Sequence, residues 1–261
     1  MQVIIRPDAA AVSELSAKII DKRIREHPHS VLGLATGSTM ERLYSILVQR
    51  HLENDLDFSL LRTYNLDEYI GIPPEHPNSY RSYMNKLLFN QVNIDLRNTY
   101  LPNGMAEDFE RECLEYEKII RLDGGVDLQL LGIGKSGHIG FNEPLSALKS
   151  RTREKSLTPK TITQNEIFFD PPSSMPKRAL TMGVGTILEA KRILLLATGD
   201  SKAEILARAV EGPVTAMVSA SALQLHEDCI VIVDEAAGKL LQGQDYYNWI
   251  FDNEPEWEEF R

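Results

Sequence analysis

Residues 31–47 run Val31-Leu32-Gly33-Leu34-Ala35-Thr36-Gly37-Ser38-Thr39-Met40-Glu41-Arg42-Leu43-Tyr44-Ser45-Ile46-Leu47. Val31 to Ala35 is apolar but too short for a helix, whereas Met40, Leu43 and Leu47 return at helical spacing. The stretch predicts strand, turn, helix. The same alternation recurs: apolar runs near Leu60 to Leu66, Val126 to Ile133, Ala179 to Met182, Arg192 to Thr198 and Cys229 to Val233 predict strands. A first helix is expected at about residues 8 to 26, where Val12, Leu15, Ile19 and Ile24 share a face behind Pro7-Asp8, and helical patterns follow at 79–89, 108–120 and 202–210.

Continuous apolar strands alternating with amphipathic helices imply an α/β chain, a doubly wound, mostly parallel sheet with helices on both faces, Rossmann-like in outline. Two Pro-rich stretches, Pro73 to Pro77 and Asp170 to Pro176, read as loops. No repeat or shift in composition marks a boundary, so residues 1–261 are expected to form a single domain. It ends in an acidic tail, about 243–261, whose Trp249, Phe251, Trp257 and Phe260 predict docking onto the body or a neighbouring subunit of a homo-oligomer.

Composition narrows the function. Hydrophobic residues make up 43% and charged residues 25% of the 261, an ordinary globular balance. No run approaches a membrane span, and the N-terminal apolar run is too short for a signal peptide. Cys113 and Cys229 form no Cys-x-x-Cys pair, so neither a disulfide framework nor a cysteine zinc site is expected, and a cytoplasmic location fits best. The net charge is −10, of which the last ten residues supply −4 through five carboxylates against Arg261. Such a surface repels nucleic acid and anionic membrane, so an anionic small molecule must be captured by a local site.

In an open parallel sheet that site lies beyond the carboxyl ends of the strands. Four segments fall there: Thr36 to Thr39, Asp67-Glu68, Gly134 to His138, and Gly199 to Lys202. Gly37, Ser38 and Thr39 open a helix with unpaired backbone N–H groups and two hydroxyls, which suits a phosphate, although Thr39 alone also reads as a helix cap. Ser201 with Glu204 reads as a capping box that places Lys202 at the first helical position, a second cationic helix start. Asp67-Glu68 reads either as solvated carboxylates or, at this edge, as a source of a proton-transfer base. His138 follows a Gly-rich turn, with Glu143 five residues on to orient its ring.

Other chemistries fail on spacing. Gly132-Ile133-Gly134-Lys135-Ser136-Gly137 matches the dinucleotide fingerprint, but Pro144 interrupts the helix that must follow and no acid-ended strand comes about 20 residues on. The first glycine of a nucleotide-binding P-loop is Gln129 here. His27-Pro28-His29 and His226-Glu227 lack a third donor, so no metal is expected.

Asn65-Leu66-Asp67-Glu68-Tyr69 with Gly71, His76-Pro77-Asn78-Ser79-Tyr80, and Gly132-Ile133-Gly134 running into Gly137-His138-Ile139-Gly140-Phe141-Asn142-Glu143-Pro144 closely resemble the glucosamine-6-phosphate deaminase (isomerase) family. Ser150 to Arg153, Ala179 to Thr186 and Leu223 to His226 match too, so the resemblance extends from the first strand to about Glu235. The Gly-His-x-x-Phe-Asn-Glu-Pro string separates this family from the related 6-phosphogluconolactonases, which carry Asp-Glu-Arg where this chain has Asp67-Glu68-Tyr69.

The resemblance implies conversion of glucosamine 6-phosphate and water to fructose 6-phosphate and ammonium, with no cofactor. By the same resemblance Asp67 is the base that moves a proton from C2 to C1, His138 opens the ring assisted by Glu143, and Gly37, Ser38, Thr39 and Lys202 hold the phosphate. Ser136 belongs to the catalytic set but departs from it, because the family usually has Asp or Asn there, and slower ring opening is expected. Ile167 replaces an Arg that commonly clamps the phosphate, and Lys160 and Arg178 bracket the segment as cations that could stand in for it. Ser146, Arg153 and Lys155 match positions that bind N-acetylglucosamine 6-phosphate in allosteric members; a solvated basic stretch is the alternative. Two further readings stand beside this one, an enzyme acting on galactosamine 6-phosphate and a non-catalytic sugar-phosphate sensor. The sensor reading is disfavoured because the chain starts directly with a strand and retains Asp67, His138 and Glu143.

Overall fold

The computed structural model describes residues 1–261. Its elements run β1 (Gln2–Arg6), α1 (Ala9–Glu26), β2 (Val31–Leu34), α2 (Ser38–Asn54), β3 (Arg62–Asn65), β4 (Asp67–Tyr69), α3 (Tyr80–Met84), β5 (Thr99–Tyr100), α4 (Phe109–Leu122) and β6 (Leu128–Gly132). The second half continues with β7 (Arg153–Ser156), α5 (Pro159–Asn165), β8 (Arg178–Thr181), α6 (Val184–Leu188), β9 (Ile193–Ala197), α7 (Ala203–Val210), β10 (Cys229–Asp234), α8 (Glu235–Gly238) and α9 (Gln244–Asn253). Seven strands form one sheet in the order β1-β10-β9-β6-β2-β3-β5, and every pair in it is parallel.

The sequence explains that sheet. All residues of β2, β9 and β10 are buried, as their unbroken apolar runs require of strands covered on both faces. The helix α1 starts where Asp8 accepts the N–H of Ala11 at 2.8 Å, and it buries Val12, Leu15, Ile19 and Ile24, the face predicted. One continuous core of 56 buried residues joins sheet and helices.

From β2 the chain runs outward through β3 to β5, whereas β6, β9 and β10 extend the sheet the other way. The strand order therefore reverses between β2 and β6. The crevice outside their carboxyl ends is where such a sheet receives a ligand.

Two expectations are corrected. The strand near Ala179 to Met182 does not join the parallel sheet; it is β8, the middle of a separate three-stranded antiparallel sheet ordered β4-β8-β7. Ala179 and Leu180 are each 0% exposed, so β8 reads as a doubly buried strand, and apolarity alone does not say which sheet it enters. The helical pattern at 79–89 is two pieces, α3 and a wider π-type turn at Asn85–Phe89. The small sheet positions chemistry: Asp67 pairs with Thr181 and Thr181 with Arg153, so these three side chains share one face in a single row.

Candidate active site

The four segments singled out in the sequence lie beyond β2, β3, β6 and β9, around the reversal point. Asp67 follows β3 at the head of β4 and is 6% exposed. Its carboxylate bonds to no protein donor, and burial, followed by the charge of Glu68, pushes it up to about 8. A Cβ on Gly140 would stand 3.5 Å from Asp67 Oδ2, so the loop after β6 passes directly over the carboxylate. Glu68 plays a structural part. Its oxygens accept the N–H groups of Tyr69 at 2.8 Å and of Tyr80 and Arg81 at 2.9 Å, fastening the start of α3 to the small sheet.

The structure brings His138, Ser136 and Glu143 together. His138 Nδ1 lies 2.7 Å from Ser136 Oγ and 3.1 Å from Glu143 Oε2, and the Ser136 hydroxyl is 3.2 Å from the same carboxylate oxygen. The imidazole lies against the backbone of Gly134, where a Cβ would be only 2.0 Å from His138 Nε2. Any side chain there would displace the ring. Burial raises the carboxyl of Glu143, but the bond to His138 and its charge, with the hydroxyls of Thr161 and Thr158, outweigh it and hold the group at about 2. Glu143 is thus a firm anion, suited to orienting and stabilising a charged imidazole.

Two glycine turns form helix starts. Gly37, at φ 116°, is the N-cap of α2, so no side chain caps the helix and the Thr39 cap reading is excluded. The hydroxyls of Ser38 and Thr39 sit in the first turn beside N–H groups that no side chain occupies. At the second start the expected capping box is absent. Asp200–Lys202 forms a 3-10 turn and Lys202 itself is the N-cap of α7, with no side-chain cap bond. The cause lies upstream, where both oxygens of Asp234 accept the N–H of Gly199 at 2.9 Å and anchor the turn one step earlier. Lys202 Nζ donates to Ile133 O at 2.6 Å, so the ammonium points at the end of β6. Burial, with neighbouring Lys135, lowers its pKa.

Thr158 and Thr161 carry no signal in the sequence, and Tyr80 stands out only as the end of the His76 to Tyr80 string. The phenol of Tyr80 is 3.3 Å from the Tyr69 hydroxyl, near Thr36 and Asp67, in a cluster with Phe141 and Phe169 that walls the site. Ile167 is 73% exposed on a 3-10 turn. Of the two cations expected to stand in for the missing Arg, Arg178 pairs with Glu154 at 2.7 Å on the opposite face of the small sheet from Asp67. Lys160 reaches the other way, its Nζ 3.4 Å from Lys135 O in the loop beside His138. Arg153 donates to Asn142 Oδ1 at 2.9 Å, and Lys155 shares its face of β7; the buried hydroxyl of Ser146 has no partner. No cluster of three or more His, Cys, Asp or Glu side chains is arranged to hold a metal ion, and no helix is long and apolar enough to cross a membrane.

The model of the family described as glucosamine-6-phosphate isomerases/6-phosphogluconolactonase matches residues 8–231. A glucosamine-6-phosphate deaminase of Hahella chejuensis is 49% identical over 250 residues, which span 96% of this chain and 95% of that one. Another, of Thermoanaerobacter sp. (strain X514), is 46% identical over 245 residues, 94% of this chain and 97% of its own. Among solved structures, a monomeric glucosamine-6-phosphate deaminase superposes with a TM-score of 0.90 at 44% identity, over 92% of this chain and all of that one. A 6-phosphogluconolactonase from Trypanosoma cruzi gives a TM-score of 0.73 at 21% identity, a likeness of fold alone.

Proposed function

The chain belongs to the family of glucosamine-6-phosphate isomerases and 6-phosphogluconolactonases, and on that premise we propose that it converts glucosamine 6-phosphate and water to fructose 6-phosphate and ammonium. The phosphate rests on the two helix starts, held by the N–H groups and hydroxyls at Gly37, Ser38 and Thr39 and by the Lys202 ammonium. His138, oriented by Glu143 and Ser136, transfers the proton that opens the sugar ring. In the open chain the C2 proton is acidified by the adjacent C1 carbonyl, and Asp67 removes it to give an enolamine. Returning the proton to C1 leaves an imine at C2, which water hydrolyses to the ketone and ammonia.

The observation that carries this reading is Asp67. A buried carboxylate without a hydrogen-bond partner, pushed up to about 8, has a basicity close to the working pH, as general-base catalysis favours. It lies beneath a loop that also carries a carboxylate-held imidazole. Every group named comes from one chain, so the activity is expected of a monomer and of a homo-oligomer alike. A reducing cytoplasm is part of the proposal, supported by two buried free cysteines.

Purified protein should release ammonium and a ketose phosphate in equal amounts from glucosamine 6-phosphate. Release from galactosamine 6-phosphate alone would move the assignment to that sugar, and release from neither would overturn it. We further propose that Ser146, Arg153 and Lys155 bind N-acetylglucosamine 6-phosphate as a regulator, since β7 presents both cations on one face. Hyperbolic kinetics indifferent to that compound would remove the regulator.

A further inference from the structure

Glu143 is 1% exposed, and a carboxylate so buried stays ionised only when its acceptor positions are engaged. One oxygen, Oε2, faces His138 and Ser136. The other, Oε1, accepts from the hydroxyl of Thr158 at 3.1 Å and from that of Thr161. Both threonines sit in the first turn of α5. Thr158 is its N-cap, taking the N–H of Thr161 at 3.3 Å, and the two hydroxyl oxygens are 3.1 Å apart.

We propose that Thr158 and Thr161 are positioning residues for the His138–Glu143 pair, gripping Oε1 so that Oε2 stays on the imidazole and making α5 part of the ring-opening machinery. The terminal torsion of a glutamate is broad, so a carboxylate fixed by one oxygen alone is free to rotate. With donors on both oxygens, rotation must break several bonds at once. Around the pair stand three neutral hydroxyls, those of Ser136, Thr158 and Thr161, and the charge is confined to the pair itself. His138 is the one titratable side chain bonded to Glu143. The other charged groups on the surrounding elements are directed elsewhere: Lys160 of α5 to Lys135 O, Arg153 of β7 to Asn142, and Lys135 to solvent. The hydroxyls are also among the groups that hold the Glu143 carboxyl low against its burial.

The role of the pair in ring opening rests on the reaction proposed above, whereas the grip itself is independent of it. The test uses Thr161→Val, Thr158→Val, the double variant and Thr161→Ser in the full chain. Carboxyl-labelled glutamate NMR, with the Glu143 signal identified from Glu143→Gln, follows its titration midpoint, and kcat and KM are measured on glucosamine 6-phosphate. Losing a hydrogen bond to the charged form should raise the midpoint by about one to two pH units in Thr161→Val. At neutral pH kcat should drop about tenfold or more with KM within about twofold, and Thr161→Ser should restore both. An unchanged midpoint in the folded double variant, or a serine variant as impaired as the valine, overturns the proposal. If the unaltered protein releases no ammonium the reaction is wrong, and the titration still decides whether the threonines grip Glu143. Should Thr161→Val fail to fold, Thr158→Val and Thr161→Ser supply the same comparison.

Discussion

At the scale of single residues, Asp67 sets a conflict between function and stability. Burial and the Glu68 charge place its carboxyl at about 8 in the folded protein, above an unfolded value near 4. Between those values the native state holds a proton that the unfolded chain has released, so the contribution of Asp67 to stability is full below about pH 4 and falls as pH rises towards 8. Asp67→Asn removes the titration while keeping the shape. The variant should gain thermal stability over the parent at pH 8 and little at pH 4.5, and equal shifts in Tm at the two pH values would contradict the buried-carboxylate account. In catalysis the same group must be ionised, so kcat/KM of the parent should climb through pH 7 to 9. Asp67→Asn should also abolish exchange of the C2 proton with solvent while binding of the phosphosugar stays within about tenfold. Undiminished exchange would take Asp67 out of the role of base.

At the scale of elements, Lys202 reaches the strand end by a different route from the one its local sequence suggests. The sequence placed it in a helix behind a capping serine; the Asp234 anchor on Gly199 instead makes it the N-cap of α7. Its ammonium still stands at the strand end, held by Ile133 O. A phosphate remote from C2 is bound alike in ground and transition states, so Lys202→Met should raise KM by about ten- to hundredfold and leave kcat nearly unchanged. A fall in kcat with KM intact would mean that the lysine serves the chemistry instead. What was legible follows from the same physics. Strands β2, β9 and β10 announce themselves because burial on both faces demands apolar runs, and β6 does so despite the buried Gln129. The small sheet does not, since β4 is Asp67-Glu68-Tyr69 and β7 is Arg153-Glu154-Lys155-Ser156, polar segments held by pairing to β8. Nor did spacing divide Asp67 from Glu68, which only the family resemblance told apart; the fold adds which carboxylate fastens the start of α3 and which is left without a donor. Thr158 and Thr161 read as ordinary residues of a proline-opened turn until Glu143, distant in sequence, is seen between them.

At the scale of the whole molecule, the acidic tail is a folded part of the body. After α9 the chain turns through Pro255–Phe260, burying Trp257 to 2% and Phe251 to 6% exposure against the core. Arg6 of β1 lies 5.0 Å above the Phe251 ring. Gln2 and Lys22 reach Glu256 and Glu259, and Arg261 returns its guanidinium to Phe251 O at 2.8 Å and Glu254 O at 2.7 Å. Of the −4 charge of the last ten residues, one carboxylate, Glu259, is paired with a base, Lys22, and these exposed contacts contribute little beside the aromatic burial. The tail covers β1, the edge strand, and β10, β9 and β6 separate that edge from the reversal point where the site lies. Stability and activity should therefore come apart. Trp257→Ala should cost about 3 to 5 kcal/mol, the range for emptying a buried aromatic site. In a chain of this length that lowers Tm by about 6 to 20 °C. Well below the new Tm, kcat and KM for glucosamine 6-phosphate should match the parent within about twofold. Glu259→Gln, which removes only an exposed partner of Lys22, should leave Tm almost unmoved. If the charge variant destabilised as much as the tryptophan variant, the tail would be held by its ion pairs, and the account of it as an apolar clasp on the β1 edge would be wrong.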